Sequence, residues 1–199
     1  MVYRATAQAL NDGPEYPKIK WELYMRSDTL ETKRLLLRPF HTQDVDRFAQ
    51  ICANPNVMRY IGNGTPESRT IVTSKIKTWI ELYEQQGYGL MALVMKETNE
   101  LIGFCGLMYQ VVDEEACVEL GYRLDEPYWG RGIATEAAVA VKNHAFNQLN
   151  IPMLISIIHH ENINSKRVAH KVGMKLMKMT SFKDKPVDIF CIHNPLQPE

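Results

Sequence analysis

One short segment constrains the fold of this chain more than any other, the glycine turn at residues 127–137 with the sequence PYWGRGIATEA. It follows a strand-like run at 116–124 and precedes a helix-like run at 133–149. A helix that begins directly after a glycine turn directs several backbone N–H groups at one point, where the helix dipole adds partial positive charge. The segment therefore predicts a strand, a turn and a helix that together favour a phosphate group.

The rest of the chain predicts an α/β (α+β) fold with a mixed, mostly antiparallel central sheet flanked by helices, because a meander of strands precedes one strand–helix–strand unit. Thr42 is predicted to cap the first helix and the Asn54-Pro55 pair to end it, while Gly173 is predicted to end the last helix. Periodicity predicts strands at 34–39, 88–95, 101–112, 116–124, 153–158, 175–182 and 187–193, and helices at 42–53, 67–86, 133–149 and 163–172.

The domain organisation expected is an N-terminal arm at 1–30 followed by one domain at 31–199. Apolar and polar residues alternate over 19–25, which is strand periodicity. This stretch suits an edge strand, a partner-binding arm or part of a lid, and the sequence does not choose among them. A strand-mediated pairing is one option that it leaves, so the expected state is a monomer or a homodimer.

Composition excludes several classes of function. The 23 basic residues balance the 23 acidic ones, which argues against a broad nucleic-acid or membrane-surface footprint. None of the four cysteines forms a C-x-x-C pair, and the adjacent His159 and His160 would point to opposite faces of a strand, so we expect no metal site. No apolar run reaches about 18 residues. The expectation is a soluble, cytoplasmic protein with no nucleic-acid or membrane partner.

Three phosphate-binding motifs compete for the glycine turn. A Walker A loop requires a Gly-Lys pair, and the chain contains none. A dinucleotide fingerprint requires a third small residue, where the turn has Thr135, and the better match at 87–92 lies between a helix and a strand. The third motif is the glycine turn followed, one strand later, by Asn162 and Ser165, and the sequence fits it.

On these residues the chain resembles the GCN5-related N-acetyltransferase (GNAT) superfamily, and most of all the branch with the ribosomal-protein N-terminal acetyltransferases of the RimJ/RimL type. The resemblance covers about residues 31–193. The motifs that carry it are ETKRLLLRP at 31–39, NVMRYIG at 56–62, IG at 102–103, ELGY at 119–122, YWGRGIATEA at 128–137, NINS at 162–165 and KVGM at 171–174.

The resemblance implies acetyl-CoA as the cofactor, with its pyrophosphate on the backbone amides around Arg131 to Thr135, its pantetheine arm at Asn162 and its thiol near Ser165. From the residues alone, Gly130 and Gly132 let the backbone approach a phosphate without a Cβ, although an ordinary strand–helix turn would also use glycines. The cofactor-binding residues expected are Tyr122, Leu124, Trp129, Gly130, Arg131, Gly132, Ile133, Ala134, Thr135, Asn162 and Ser165.

Acetyl transfer to an amine requires a neutral amine, donors for the carbonyl oxygen and a proton for the leaving thiolate. Glu119 is the candidate base, and the alternative is a structural ion pair with Arg123 or another cation. The resemblance implies that backbone N–H groups near Tyr122 to Leu124 polarise the thioester and that Ser165 steadies the thiol. A covalent route through Cys117 would need a basic partner, and no histidine lies near it in sequence.

The expected function is an N-acetyltransferase that transfers the acetyl group of acetyl-CoA directly to a primary amine, either a protein N-terminal amine or a small molecule. The alternative is a non-catalytic acyl-CoA-binding sensor or interaction module, and the presence of Glu119 and Ser165 favours the enzyme. The resemblance implies an acceptor pocket formed by residues 59–65 with Tyr60, by Trp79, Tyr83 and Tyr88, and by the loop at 183–186. Aromatic residues at helical spacing are more often part of a core.

Overall fold

The computed structural model describes residues 29–197, so the predicted arm lies almost wholly outside the described residues, as does the alternating stretch at 19–25. Within these described residues, eight strands form one sheet in the order β1-β2-β3-β4-β5-β6-β8-β7. Every neighbouring pair is antiparallel except β5 and β6. The strands are β1 (Leu30–Glu31), β2 (Leu35–Pro39), β3 (Leu90–Met95), β4 (Glu100–Val112), β5 (Glu115–Leu124), β6 (Met153–His159), β7 (Lys175–Phe182) and β8 (Lys185–His193).

Five α-helices pack against this sheet in the described part of the chain: α1 (Val45–Cys52), α2 (Pro55–Met58), α3 (Arg69–Gln86), α4 (Ile133–Asn147) and α5 (Ile163–Val172). The mixed, mostly antiparallel sheet flanked by helices confirms the predicted fold class. Gly173 ends α5 in the left-handed conformation, with a φ of 98°, as predicted. None of the helices in residues 29–197 is long and apolar enough to cross a membrane.

The start of the first helix was predicted wrongly. Thr42 does not cap it; Thr42 instead begins a 3-10 turn that precedes α1. The carboxylate of Asp44 accepts hydrogen bonds from the backbone N–H of His41 at 2.7 Å and from the guanidinium of Arg38 at 2.7 and 2.8 Å. Burial raises the pKa of Asp44, but these hydrogen bonds outweigh burial and lower it. Asp44 therefore fixes the backbone before α1 through its contact with Arg38. Helix propensity does not reveal that contact, because the two residues belong to different elements.

The Asn54-Pro55 pair ends α1 as predicted, and it also begins the unpredicted helix α2. Asn54 is the N-cap of α2, and its Oδ1 accepts a hydrogen bond from the backbone N–H of Asn56 at 2.9 Å. Pro55 occupies the first helical position, where its fixed φ and its missing N–H are tolerated. The same two residues thus serve as a stop and a start, and α2 leads into the turn at 59–64.

Hydrophobic clusters cover both faces of the sheet. One face packs against α4 and α5, and the other packs against α1 and α3. Trp79 lies in the second cluster, with ring centroids 5.2 to 5.7 Å from those of Phe40, Phe48 and Phe104. Tyr83 and Tyr88 pack against the first cluster. Of the four aromatic residues named for the acceptor pocket, these three are thus packed in or against the core, and Tyr60 lies elsewhere.

The parallel pair β5 and β6 positions the site. These strands are joined by α4, and their pairing is confined to one register pair, Glu119 opposite Ile155. Beyond that pair, β5 continues to Leu124 and β6 to His159 without pairing to each other. Because α4 follows β5 and α5 follows β6, both helices begin at this open end, where α/β sheets commonly bind ligands. We call the space between the two strand ends the β5–β6 cleft.

Candidate active site

The turn at residues 129–132, called the phosphate loop below, has the geometry of an anion cradle. Gly130 and Gly132 have φ values of 73° and 75°, which favour glycine, and α4 begins after Gly132 without a side-chain cap. A Cβ at Gly130 would have nothing within 4 Å, and one at Gly132 would meet only a guanidinium nitrogen of Arg34, at 3.8 Å. The space over the loop is therefore open, and the first N–H groups of α4 have no intrahelical partner. These features fit a diphosphate.

Arg34 holds this loop in place through hydrogen bonds, a role that the sequence analysis did not predict. Its Nε donates to Glu136 Oε2 at 2.7 Å, and its Nη1 donates to the carbonyl oxygen of Arg131 at 3.0 Å. Thr32 Oγ1 and the backbone N–H of Arg34 donate to Glu136 Oε1 at 2.6 and 3.0 Å. The peptide bond is trans, so holding the Arg131 carbonyl toward Arg34 directs the N–H of Gly132 the opposite way. Arg34, just before β2, and Glu136 on α4 thereby orient an amide of the cradle.

The Arg34→Lys variant is expected to bind acetyl-CoA about tenfold more weakly, because a lysine cannot bridge Glu136 and the Arg131 carbonyl in the same fork geometry. Isothermal titration calorimetry measures the effect. The matched control is Lys33→Ala, which removes an exposed neighbouring cation that has no ion pair within the described chain. Equal affinity for the wild type and Arg34→Lys would show that Arg34 does not organise the cradle.

The edge of β5 that faces the cleft offers backbone groups. Ser156 Oγ donates to the carbonyl oxygen of Leu120 at 2.7 Å, and Trp129 Nε1 donates to that of Leu124 at 2.9 Å. Both carbonyls therefore point away from β4, and in an antiparallel strand each residue's N–H and C=O point to the same side. The N–H groups of Tyr122 and Leu124 consequently face the cleft, where β6 no longer pairs with β5.

Two of the residues predicted to bind the cofactor, Trp129 and Ile133, use their side chains in contacts within the protein. The indole of Trp129 is 41% exposed, and its N–H is used on Leu124 at the end of β5. Ile133 is 2% exposed and lies in the core, so only its backbone is available to a ligand. Cofactor binding by both residues stays a prediction. Trp129 would contact the cofactor through the exposed surface of its ring, and Ile133 through its backbone N–H.

Glu119 lies on β5 at the last residue pair before the cleft. Its carboxylate accepts a hydrogen bond from Gln110 Nε2 at 2.8 Å and another from the backbone N–H of Ile157 on β6. Burial raises the pKa of Glu119, and these two hydrogen bonds and the charge of Lys183 offset only part of that increase. A carboxylate with a raised pKa beside an open cleft is suited to accept a proton near neutral pH.

The structure does not contain the ion pair between Glu119 and Arg123 that was the alternative. Arg123 instead donates to Cys52 Sγ at 3.1 Å, and its guanidinium carbon lies 5.7 and 5.2 Å from the ring centroids of Phe48 and Phe104. Arg123 and Glu119 lie on the same face of the sheet, because they are four residues apart on β5. Arg123 belongs to the packing under α1, which leaves the carboxylate of Glu119 free of that cation.

Ser165 lies on the opposite side of the cleft, in the first turn of α5. Asn162 Oδ1 caps this helix by accepting the N–H of Ser165 at 3.1 Å, and the Ser165 carbonyl accepts the Tyr122 hydroxyl at 2.9 Å. Burial raises the pKa of Tyr122, which keeps the phenol protonated as a donor. The hydroxyl of Ser165 and the Nδ2 of Asn162 form no hydrogen bond with the rest of the described chain, so both remain available to a ligand.

The competing chemistries receive no support from the geometry. Burial, with Glu119 nearby, raises the pKa of Cys117 to about 11, so its thiolate is scarce at neutral pH. His159 contacts the Tyr60 ring, whereas His160 Nδ1 lies 2.8 Å from Asp188 Oδ1, so the two imidazoles diverge as predicted. Across residues 29–197 no group of three histidine, cysteine, aspartate or glutamate side chains could hold a metal ion.

The turn after α2 packs on the end of β6, beside the β5–β6 cleft. The Tyr60 and His159 ring centroids are 5.1 Å apart, and the guanidinium carbon of Arg59 lies 5.1 Å from the Tyr60 ring. The β7–β8 hairpin lies at the same end of the sheet, because the backbone N–H of His160 donates to the Pro186 carbonyl at 3.1 Å. This arrangement can admit an acceptor on the Glu119 side while a thioester lies in the β5–β6 cleft.

Comparison with known proteins gives the family. The model of the acetyltransferase (GNAT) domain matches residues 34–175. The chain is 30% identical over 166 residues to YkkB of Bacillus subtilis strain 168, an alignment that covers 81% of this chain and 93% of YkkB. It is also 31% identical to an acetyltransferase of known structure from Agrobacterium tumefaciens, with a TM-score of 0.72 and coverage of 91% of this chain and 99% of that one.

A more distant structure shares the fold. RimL, a ribosomal L7/L12 α-N-protein acetyltransferase solved in complex with coenzyme A, superposes with a TM-score of 0.70 at 18% identity, covering 83% of this chain and 97% of RimL. At that identity the likeness establishes the architecture alone. The fold that places the β5–β6 cleft in this chain is thus also the fold of a protein that binds coenzyme A.

Proposed function

This chain belongs to the GNAT acetyltransferase family, and from that premise we propose that it transfers the acetyl group of acetyl-CoA directly to a primary amine. The observation that carries the proposal is the β5–β6 cleft. An uncapped helix N-terminus lies at one end of the cleft, Glu119 lies on one side of it and Ser165 on the other. The cleft therefore combines an anion cradle, a base and a hydroxyl donor along a single groove.

In the proposed reaction, the phosphate loop and the first turn of α4 bind the diphosphate, and Asn162 Nδ2 donates to the pantetheine arm. The N–H groups of Tyr122 and Leu124 donate to the thioester carbonyl, where negative charge develops as the amine attacks. Glu119 accepts a proton from the attacking amine, directly or through water. As the carbon–sulfur bond breaks, the Ser165 hydroxyl donates a hydrogen bond to the departing thiolate.

For the acceptor, we propose a primary amine of a peptide N-terminus or of a small molecule. RimL is a ribosomal L7/L12 α-N-protein acetyltransferase, and its shared fold supports the RimJ/RimL-like, peptide-directed option by analogy. We further propose a reducing compartment such as the cytoplasm as the site of action, because all four cysteines are free thiols.

The experiment that tests this function combines two measurements. Titration calorimetry with acetyl-CoA reports binding, and a free-thiol release assay over a panel of peptides, amino acids, polyamines and aminoglycosides reports transfer. We expect acetyl-CoA to bind and at least one amine to release coenzyme A. Binding without thiol release for any amine would instead identify a non-catalytic acyl-CoA-binding module.

Ser165→Ala is expected to slow acetyl transfer about tenfold, because the leaving thiolate loses one hydrogen bond. The affinity for acetyl-CoA should change little, since the hydroxyl acts late in the reaction. Single-turnover kinetics and calorimetry measure the two quantities separately, and Ser165→Thr serves as a control that keeps a hydroxyl. If acetyl-CoA affinity falls while kcat holds, Ser165 contributes to binding and not to the departure of the thiol.

A further inference from the structure

The carboxylate of Glu126, which is not one of the proposed catalytic groups, connects the segment after α1 with the turn that precedes the phosphate loop. Glu126 Oε2 accepts a hydrogen bond from Asn54 Nδ2 at 2.7 Å, and Asn56 Nδ2 donates to both Glu126 oxygens at 3.0 and 3.1 Å. The two asparagines belong to residues 54–64, called the acceptor segment below, which comprises α2 and the turn carrying Arg59 and Tyr60. The hydrogen bonds from the asparagines lower the pKa of Glu126, so it is ionised at neutral pH.

The backbone around Glu126 is held by several hydrogen bonds. It begins the 3-10 turn that precedes the phosphate loop, and its N–H is capped by Asp125 Oδ1 at 2.9 Å. Asp125 also accepts a hydrogen bond from Arg47 on α1, and Arg47 in turn contacts Glu100, which accepts the Tyr128 hydroxyl at 2.7 Å. The backbone N–H of Trp129 donates to the Glu126 carbonyl at 3.0 Å. Movement at Glu126 is thus restrained from α1, from β4 and from the phosphate loop.

The acceptor segment also contacts the other half of the cofactor site. The Tyr60 ring packs on His159, the last residue of β6, three residues before Asn162 caps α5. The acceptor segment therefore contacts both sides of the β5–β6 cleft. Asn54 and Asn56 bind Glu126, just before the phosphate loop, and Tyr60 packs on the end of β6, just before α5.

We propose that Glu126 is a positioning residue for the acceptor, whose carboxylate fixes the acceptor segment to the base of the phosphate loop. This inference rests on the proposed function, because it treats the segment as one wall of the acceptor site. Glu126 touches neither reactant in this scheme. It determines whether the wall is in place when the amine approaches Glu119.

The test compares Glu126→Ala with the wild type in the full chain. Amide hydrogen exchange should be about tenfold faster across residues 56–64 in the variant, because the charge-assisted hydrogen bonds that hold the segment are lost. The acetyl-CoA dissociation constant should stay within about twofold, while KM for the best amine of the panel rises about tenfold and kcat at saturating amine is largely kept. Glu126→Gln retains a carbonyl acceptor and should recover most of the loss.

The matched control is Glu84→Ala, which removes an exposed glutamate on α3 that makes no hydrogen bond or ion pair within the described residues. Unchanged exchange in the acceptor segment of Glu126→Ala would overturn the proposal. So would a loss of acetyl-CoA affinity that parallels the rise in amine KM, because Glu126 would then act on the cofactor site. If the wild type binds no acetyl-CoA, the proposed function fails and the acceptor role of Glu126 fails with it, whereas the exchange comparison still shows whether Glu126 holds the segment in place.

Discussion

Glu119→Gln is expected to lower kcat about 100- to 1,000-fold at neutral pH, the range typical of a lost general base. The amide keeps the size of the side chain and can still accept from Gln110 or from the N–H of Ile157, so the cleft should keep its shape. Acetyl-CoA affinity should therefore stay within about twofold of the wild type, because no charge on the cofactor is involved. Steady-state kinetics and calorimetry measure the two effects.

The pH profile distinguishes a base from a structural carboxylate. Burial raises the pKa of Glu119, and the base acts only when ionised, so wild-type activity should fall as the pH drops through a value above the ordinary range for glutamate. This dependence should disappear in Glu119→Gln. The control Glu115→Gln makes the same change at an exposed position of the same strand and should leave kcat unaltered. An unchanged kcat for Glu119→Gln between about pH 6 and 9 would exclude Glu119 as the base.

Gly132→Asp is expected to weaken acetyl-CoA binding by at least about 100-fold, because a carboxylate close to a diphosphate costs several kcal/mol at the dielectric of a protein surface. Calorimetry with acetyl-CoA gives the affinity, and thermal unfolding shows whether the variant is folded.

Gly132→Asn is the matched comparison, since asparagine has nearly the same shape and both residues tolerate the left-handed φ of 75° at this position. It should bind acetyl-CoA at least about tenfold more tightly than Gly132→Asp, the difference reporting the charge. Equal affinities for the two variants would mean that no phosphate lies at the N-terminus of α4.

The fold was largely predictable because its signals are local. Strand alternation, the glycine turn and the helix-ending Gly173 all act within a few positions of the chain. The start of α1 was not predictable in this way, because it depends on the hydrogen bonds that Arg38 on β2 donates to the carboxylate of Asp44. The helix α2 was missed because four residues are too few to show a helical period.

The candidate site was predictable where backbone geometry defines it. The glycines indicate the phosphate loop, and strand alternation indicates the orientation of β5. The position of Asn162 directly before α5 is typical of a capping residue. Contacts between residues far apart in sequence were not predictable, namely Arg34 with Glu136, Glu126 with Asn54 and Asn56, and Ile157 with Glu119. Sequence alone also left open whether Glu119 pairs with Arg123, which depends on the packing of Phe48 and Phe104.

A crystal structure of the wild type with acetyl-CoA would show whether the β5–β6 cleft binds the acyl donor. We expect diphosphate oxygens within about 3 Å of main-chain N–H groups between Arg131 and Thr135, with the thioester between Glu119 and Ser165. Acetyl-CoA bound elsewhere, with the phosphate loop closed by its own side chains, would contradict this expectation.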